Sequence, residues 1–112
     1  MILYRNDPNE YQLITYIRQE SHNSKTDCDN ANLSKFNAED IAHHTQLFVL
    51  YSEHIPRNSN LIDASKALDT IAQGLATQYK TGTVSPAFCK IKFDSLETSA
   101  EKLQKVIGGR PR

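Results

Sequence analysis

The chain has 112 residues, of which 38% are hydrophobic and 23% are charged, and thirteen basic residues balance thirteen acidic ones. This length suits one domain that buries a core without metal or disulfide staples. A neutral chain argues against a primary role on nucleic acid or an anionic membrane, because both favour a basic surface. Residues 1–56 have a net charge of −4 and residues 57–112 one of +4, so the halves either attract each other or orient a partner.

The first predicted helix covers about residues 8–21. Asp7 is a suitable N-cap, Pro8 suits the first helical position, and Glu10 is placed to close a capping box. The segment that follows, residues 21–36, is rich in Asn, Asp and Ser, whose side chains compete for backbone hydrogen bonds. We therefore predict a polar loop over 21–36.

The second and third predicted helices cover about residues 37–55 and 60–81. Phe36 and Ile41 flank the start of the second as a hydrophobic staple, and Pro56 ends it. Asn60 is the expected cap of the third, and Gly82 follows its last turn.

The last segment is ambiguous at first, because CKIKF alternates like a strand. However, Ser85-Pro86 is a good helix start, and apolar residues then repeat at the 4-3 spacing of a packed helix at positions 89, 93, 96, 100, 103 and 107. We predict one helix over 86–107 and a short disordered tail over 108–112.

Short connections at 56–59 and 81–85 make sequential helices antiparallel neighbours. The predicted fold is all-α, a single domain over 1–112 formed by an antiparallel four-helix bundle.

Two cysteines, Cys28 and Cys89, bear on the expected compartment. The start MILYRNDP is not a signal peptide, and no apolar run approaches the roughly 20 residues of a membrane span. We therefore expect a cytoplasmic protein, or one exported by a specialised system with a cryptic signal, and no membrane partner. In a reducing cytoplasm both cysteines are expected to be thiols. Cys28 would lie in the polar loop, and Cys89 would be buried on an apolar stripe.

The stretch EDIAHHTQLFVLYSEH places two histidines side by side. Neighbours on a helix point about 100° apart, so His44 shares the predicted core face with Phe48 and has Asp40 as an i−4 partner. His43 lies on a second face, about 16 Å along the axis from His54, so these two cannot bind one ion. A metal here would need Glu39 or Asp40 together with ligands from another helix. We predict no metal or cofactor, while a metal-binding or catalytic bundle using the His43/His44 region stays the alternative.

The apolar run LFVLY surrounds the second helix, although a peripheral bundle helix needs only one apolar stripe. We predict that the second stripe binds a partner through His43, Leu47, Leu50 and His54. The predicted function is a small non-enzymatic protein-binding module of the inhibitor, immunity, adaptor or chaperone kind, acting on a partner or as a homodimer. A further alternative is a nucleic-acid-binding regulator that uses the late basic cluster, Lys90, Lys92, Lys102, Lys105, Arg110 and Arg112.

Overall fold

The computed structural model describes residues 7–55 and 59–109, which form four helices. Helix α1 is Pro8–Ser24, α2 is Ala31–Glu53, α3 is Ser59–Thr81 and α4 is Pro86–Gly108, and a 3-10 turn, Lys25–Asp27, lies between α1 and α2. The ranges 7–55 and 59–109 contain no strand, and the predicted all-α four-helix bundle is confirmed. Pro56, and the part of the predicted tail at 110–112, lie outside the described residues.

Polar contacts between neighbouring helices run in antiparallel order. In the middle of α1, Thr15 accepts a hydrogen bond from Gln104, late in α4. Near the end of α1, His22 contacts Glu97, earlier in α4. The same antiparallel order relates α2 to α3, through the pairs Ala42–Gln73 and Glu53–Lys66. It also relates α1 to α2, through the pairs Asp7–Tyr51 and Glu20–His44. Sequential helices are therefore neighbours, and α4 closes the bundle against α1.

Two predicted helix starts are confirmed by their capping contacts. Asp7 Oδ1 accepts from the backbone N–H of Asn9 at 2.9 Å and of Glu10 at 3.1 Å, and Ser85 Oγ accepts from the N–H of Phe88 at 3.1 Å. These oxygens satisfy backbone donors that have no partner within the first turn of a helix.

The 4-3 pattern of the last helix is confirmed, since α4 is continuous and buries every residue of the predicted stripe: Cys89, Phe93, Leu96, Ala100, Leu103 and Ile107. Together with the apolar faces of α1, α2 and α3, this stripe makes the core. In a strand, Cys89, Ile91 and Phe93 would point to the same side, whereas in the helix Cys89 and Phe93 are buried and Ile91 is 63% exposed.

The predicted polar loop over 21–36 is wrong. Helix α1 continues to Ser24, and α2 begins at Ala31 rather than near residue 37. Asn30 caps α2 by accepting from the N–H of Leu33 at 3.0 Å, and Ser34 Oγ donates to the Asp27 carbonyl at 2.7 Å. The polar side chains that suggested a loop instead satisfy the backbone of a tight helix-to-helix connection.

Two smaller predictions about helix starts are also wrong. Phe36 lies inside α2 and is 62% exposed, so it does not act as a staple at the start of that helix. Asn60 lies inside α3, which already begins at Ser59, so it is not the cap.

Cys28 and Cys89 form a disulfide, which overturns the prediction of two thiols. The bond joins the connection between α1 and α2 to the first turn of α4, 61 residues away in sequence. Both cysteines are buried, at 4% and 0% exposure, so Cys28 is not an accessible nucleophile. The sequence prediction failed because it assumed a reducing compartment and because nothing in the spacing indicated the pairing.

Reduction of this disulfide should lower the free energy of unfolding by about 2–4 kcal/mol, since the cross-link closes a long loop in the unfolded chain. Urea unfolding with and without dithiothreitol measures the difference. The double variant Cys28→Ser/Cys89→Ser should match the reduced protein and be insensitive to dithiothreitol. Equal stability of the oxidised and reduced wild-type protein would contradict the prediction.

Candidate functional site

The four residues predicted to bind a partner lie on the solvent side of α2. Leu47 and Leu50 are 48% and 59% exposed, and His43 and the helix-capping His54 are also exposed. The opposite side of the same helix is buried in the core through Ile41, Ala42, Phe48 and Val49. Helix α2 therefore has two apolar faces, and the bundle covers one of them.

The exposed face extends further towards the N-terminus than the sequence predicted. Leu33 and Phe36 are exposed in the first two turns of α2, and they continue the repeat of the face at 3-4 spacing. We use the name α2 stripe for the complete set: Leu33, Phe36, Asp40, His43, Leu47, Leu50 and His54. The α2 stripe extends about 32 Å along the helix axis.

A cleft of about 330 Å³ lies between α2 and α3, beside the α2 stripe. His43 is part of its wall, and the other side chains around it are mostly polar: Glu39, Gln46, Gln73, Thr77 and Lys80. The cleft gives one edge of the α2 stripe a polar rim.

At the other edge of the α2 stripe, His44 lies among acids from two helices. Its Nδ1 is 2.9 Å from Glu20 Oε1, across the interface with α1, and 3.7 Å from Asp40 Oδ2, one turn earlier on α2. The predicted pairing of His44 with Asp40 is confirmed as an ion-pair contact, but Glu20 is the closer partner. We call Glu20, Asp40 and His44 the acid–histidine cluster.

The acid–histidine cluster is partly shielded from water. The side chains of Glu20, His44 and Asp40 are 13%, 28% and 37% exposed, so the cluster is closed on the α1 side and open towards the α2 stripe. The ring of Tyr16 meets the His44 ring edge-on, with centroids 4.9 Å apart and an interplanar angle of 79°. Tyr16 thereby restricts the orientation of the imidazole.

Burial, followed by the hydrogen bond with Asp40 and its negative charge, together raise the pKa of Glu20 to about 9. At neutral pH, Glu20 therefore keeps its proton and donates it to Asp40. The acids and the histidine form one hydrogen-bonded unit that joins α1 to α2.

Two of the late basic residues that the structure describes have neighbours on their own helix. Lys105 pairs with Glu101 at 3.2 Å, and the ammonium of Lys92 lies 5.4 Å from the centre of the Phe88 ring. Asp94 and Glu97 on the same helix bind Lys25 of the turn after α1. Arg110 and Arg112 lie outside the described residues.

A second exposed apolar region lies between α3 and α4. It is a groove of about 310 Å³ whose walls include Leu61, Leu68, Leu103 and Val106, the last of which is 57% exposed. Among the residues that line this groove, Val106 is the one large apolar side chain that is strongly exposed.

Glu20, Leu33 and Phe36 are the residues that sequence reasoning missed. Leu33 and Phe36 fall within the predicted loop, although their spacing to Asp40 and His43 continues the helical repeat. Glu20 gave no sequence signal, because its proximity to His44 depends on how α1 packs against α2.

Comparison with protein-family models, curated proteins and solved structures finds no match for this chain. Within residues 7–55 and 59–109, no helix combines the length and the apolar character that crossing a bilayer requires.

The variant Glu20→Gln should be more stable than the wild-type protein at pH 8, measured by urea unfolding in the presence of EDTA. The unfolded chain releases the Glu20 proton near pH 4.5, whereas the folded chain keeps it until about pH 9. The wild-type free energy of unfolding therefore falls as pH rises between these values, and glutamine removes that contribution.

Glu97→Gln is the matched control with the opposite sign. The ion pair with Lys25, and then the contact with His22, lower the pKa of Glu97, so its charge stabilises the fold above pH 4.5 and this stabilisation is lost as pH falls. At pH 8 this variant should be less stable than wild type. A Glu20→Gln protein that loses stability at pH 8 would show that Glu20 is ionised in the native state.

Proposed function

We propose that this protein is a non-enzymatic protein-binding module that uses the α2 stripe. Its partner is an amphipathic helix of another protein, with apolar side chains at 3-4 spacing and basic residues beside them. Such a module acts as an inhibitor or adaptor, because covering a helix of the partner blocks or redirects whatever that helix does.

The observation that carries the proposal is a second apolar repeat on a helix whose core face is already complete. Four large apolar side chains of the α2 stripe are between 40% and 62% exposed: Leu33, Phe36, Leu47 and Leu50. A peripheral bundle helix needs only one apolar stripe, and a 3-4 repeat is the pattern by which one helix packs along another. The spacing therefore favours a helical occupant over an extended peptide.

Charge favours a basic partner over a second copy of the chain. Helix α2 has Glu39, Asp40 and Glu53 but a single lysine, Lys35, and the first half of the chain has a net charge of −4. Two α2 stripes facing each other would bring acidic flanks together. A helix with lysine or arginine beside its apolar side chains would instead be attracted and oriented.

The disulfide favours a compartment other than the cytoplasm, which the sequence predicted. Disulfides persist in oxidising compartments and are rare in the cytosol, where thiols are kept reduced. Since Cys28 and Cys89 are paired and buried, we propose that the protein acts after export, on a partner in an oxidising environment.

A pair of synthetic amphipathic helices tests the proposed partner chemistry. Both peptides have about 21 residues and leucine at 3-4 spacing, matching the length of the α2 stripe, and they differ only in lysine or glutamate at the flanking positions. Fluorescence anisotropy with the full-length, disulfide-bonded protein should show binding of the lysine peptide and much weaker binding of the glutamate peptide.

Leu50→Asp should weaken binding of the lysine peptide at least about tenfold, a difference of about 1.4 kcal/mol, and should leave the helical circular dichroism unchanged. Val106→Asp is the matched control, because Val106 is almost as exposed as Leu50 but lies on α4. It should bind the lysine peptide like wild type.

Three results would overturn the proposal. Equal binding of the lysine and glutamate peptides would mean that the α2 stripe does not select a basic partner. Loss of helicity in Leu50→Asp would mean that Leu50 supports the core. A wild-type dimer that Leu50→Asp converts to a monomer, measured by light scattering after gel filtration, would mean that a second copy covers the α2 stripe.

A further inference from the structure

We propose that Glu20, Asp40 and His44 bind a divalent transition-metal ion, with zinc preferred, at the interface between α1 and α2. This inference goes beyond the partner proposed above. It shares Asp40 with the α2 stripe but depends on none of the apolar side chains of that stripe.

The spacing of the donor atoms suits a small ion. One ligand atom from each of the three residues can be chosen so that all lie within 4.8 Å of one another. Zinc holds nitrogen and oxygen ligands at about 2.0–2.2 Å, so donors at the corners of its tetrahedron are roughly 3.3 Å apart. His44 Nδ1 lies 2.9 Å from Glu20 Oε1 and 3.7 Å from Asp40 Oδ2, on either side of that value.

The chemical nature of the donors favours zinc over calcium or magnesium. Imidazole nitrogen is a ligand for zinc and its transition-metal neighbours, whereas calcium takes six to eight oxygens and magnesium keeps most of its water. One imidazole and two carboxylates complete three of the four positions of a tetrahedral ion. The open side of the cluster, where Asp40 is 37% exposed, leaves the fourth position to water or to a ligand.

The three side chains are held by rigid elements before any ion arrives. Asp40 and His44 are one helical turn apart on α2, and Glu20 lies opposite them on α1. Tyr16 packs its ring against the edge of His44 and limits its rotation. Ligands placed on packed helices keep their geometry better than ligands on loops.

A bound ion would be held by the carboxylate oxygens of Glu20 and Asp40 and by the Nδ1 lone pair of His44. Any proton on these ligand atoms would leave to solvent as the ion binds.

Titration of the full-length, disulfide-bonded, EDTA-treated protein with zinc chloride tests the proposal. Isothermal calorimetry should show one zinc ion per chain, and calcium chloride should give no comparable binding. Cobalt(II) used in place of zinc should produce the strong visible absorption of a tetrahedral site, which does not depend on any variant.

Glu20→Gln, Asp40→Asn and His44→Asn should each weaken zinc binding at least about tenfold, since even the loss of an outer-shell partner costs a metal site that much. Their helical circular dichroism should match that of wild type, which separates loss of a ligand from loss of the fold.

His22→Asn is the matched control. His22 also contacts a carboxylate, with Nδ1 2.8 Å from Glu97 Oε2, but Lys25 occupies the other oxygen of that group. Zinc binding should be unchanged in this variant. The proposal is overturned if wild type binds less than one zinc per chain, if cobalt(II) gives only the weak spectrum of an octahedral hydrated ion, or if His22→Asn lowers affinity as much as His44→Asn.

Discussion

The bundle can cover only one side of each helix, and this constraint determines what α2 shows to solvent. Its core side is filled by Ile41 and Phe48, which are fully buried, and this burial is the main source of stability available to a peripheral helix. Once that side is turned inward, the α2 stripe must face outward. The exposure of Leu47 and Leu50 is thus a consequence of the packing and not a local irregularity.

The same packing gives the interface between α1 and α2 an unusual chemical character. Acids of α1 contact hydroxyl or imidazole groups of α2 along its length, in the pairs Asp7–Tyr51, Glu10–Ser52 and Glu20–His44. Since carboxyl groups respond to protons and to cations, the contacts of this interface depend on the solution around it. The core between α3 and α4, by contrast, is largely apolar.

The connection between α1 and α2 shows where sequence patterns are ambiguous. Asn, Asp and Ser favour both loops and helix caps, because the same side-chain oxygens serve either purpose. Here Asn30 caps α2, Ser34 donates to the Asp27 carbonyl, and the buried disulfide at Cys28 restrains the connection. A pattern of polar residues could not distinguish these outcomes, since the decisive partner, Cys89, is 61 residues away.

Periodicity and neighbouring residues were enough to predict the number of helices, the caps Asp7 and Ser85, the buried stripe of α4 and the exposed positions Leu47 and Leu50. The disulfide, the extension of the α2 stripe to Leu33 and Phe36, and the contact of Glu20 with His44 become visible only in the folded chain. The disulfide and the Glu20–His44 contact join residues that are distant in sequence, and their proximity follows from how whole helices pack. Leu33 and Phe36 belong to the α2 stripe because α2 begins at Ala31, and contacts with the preceding turn establish that start.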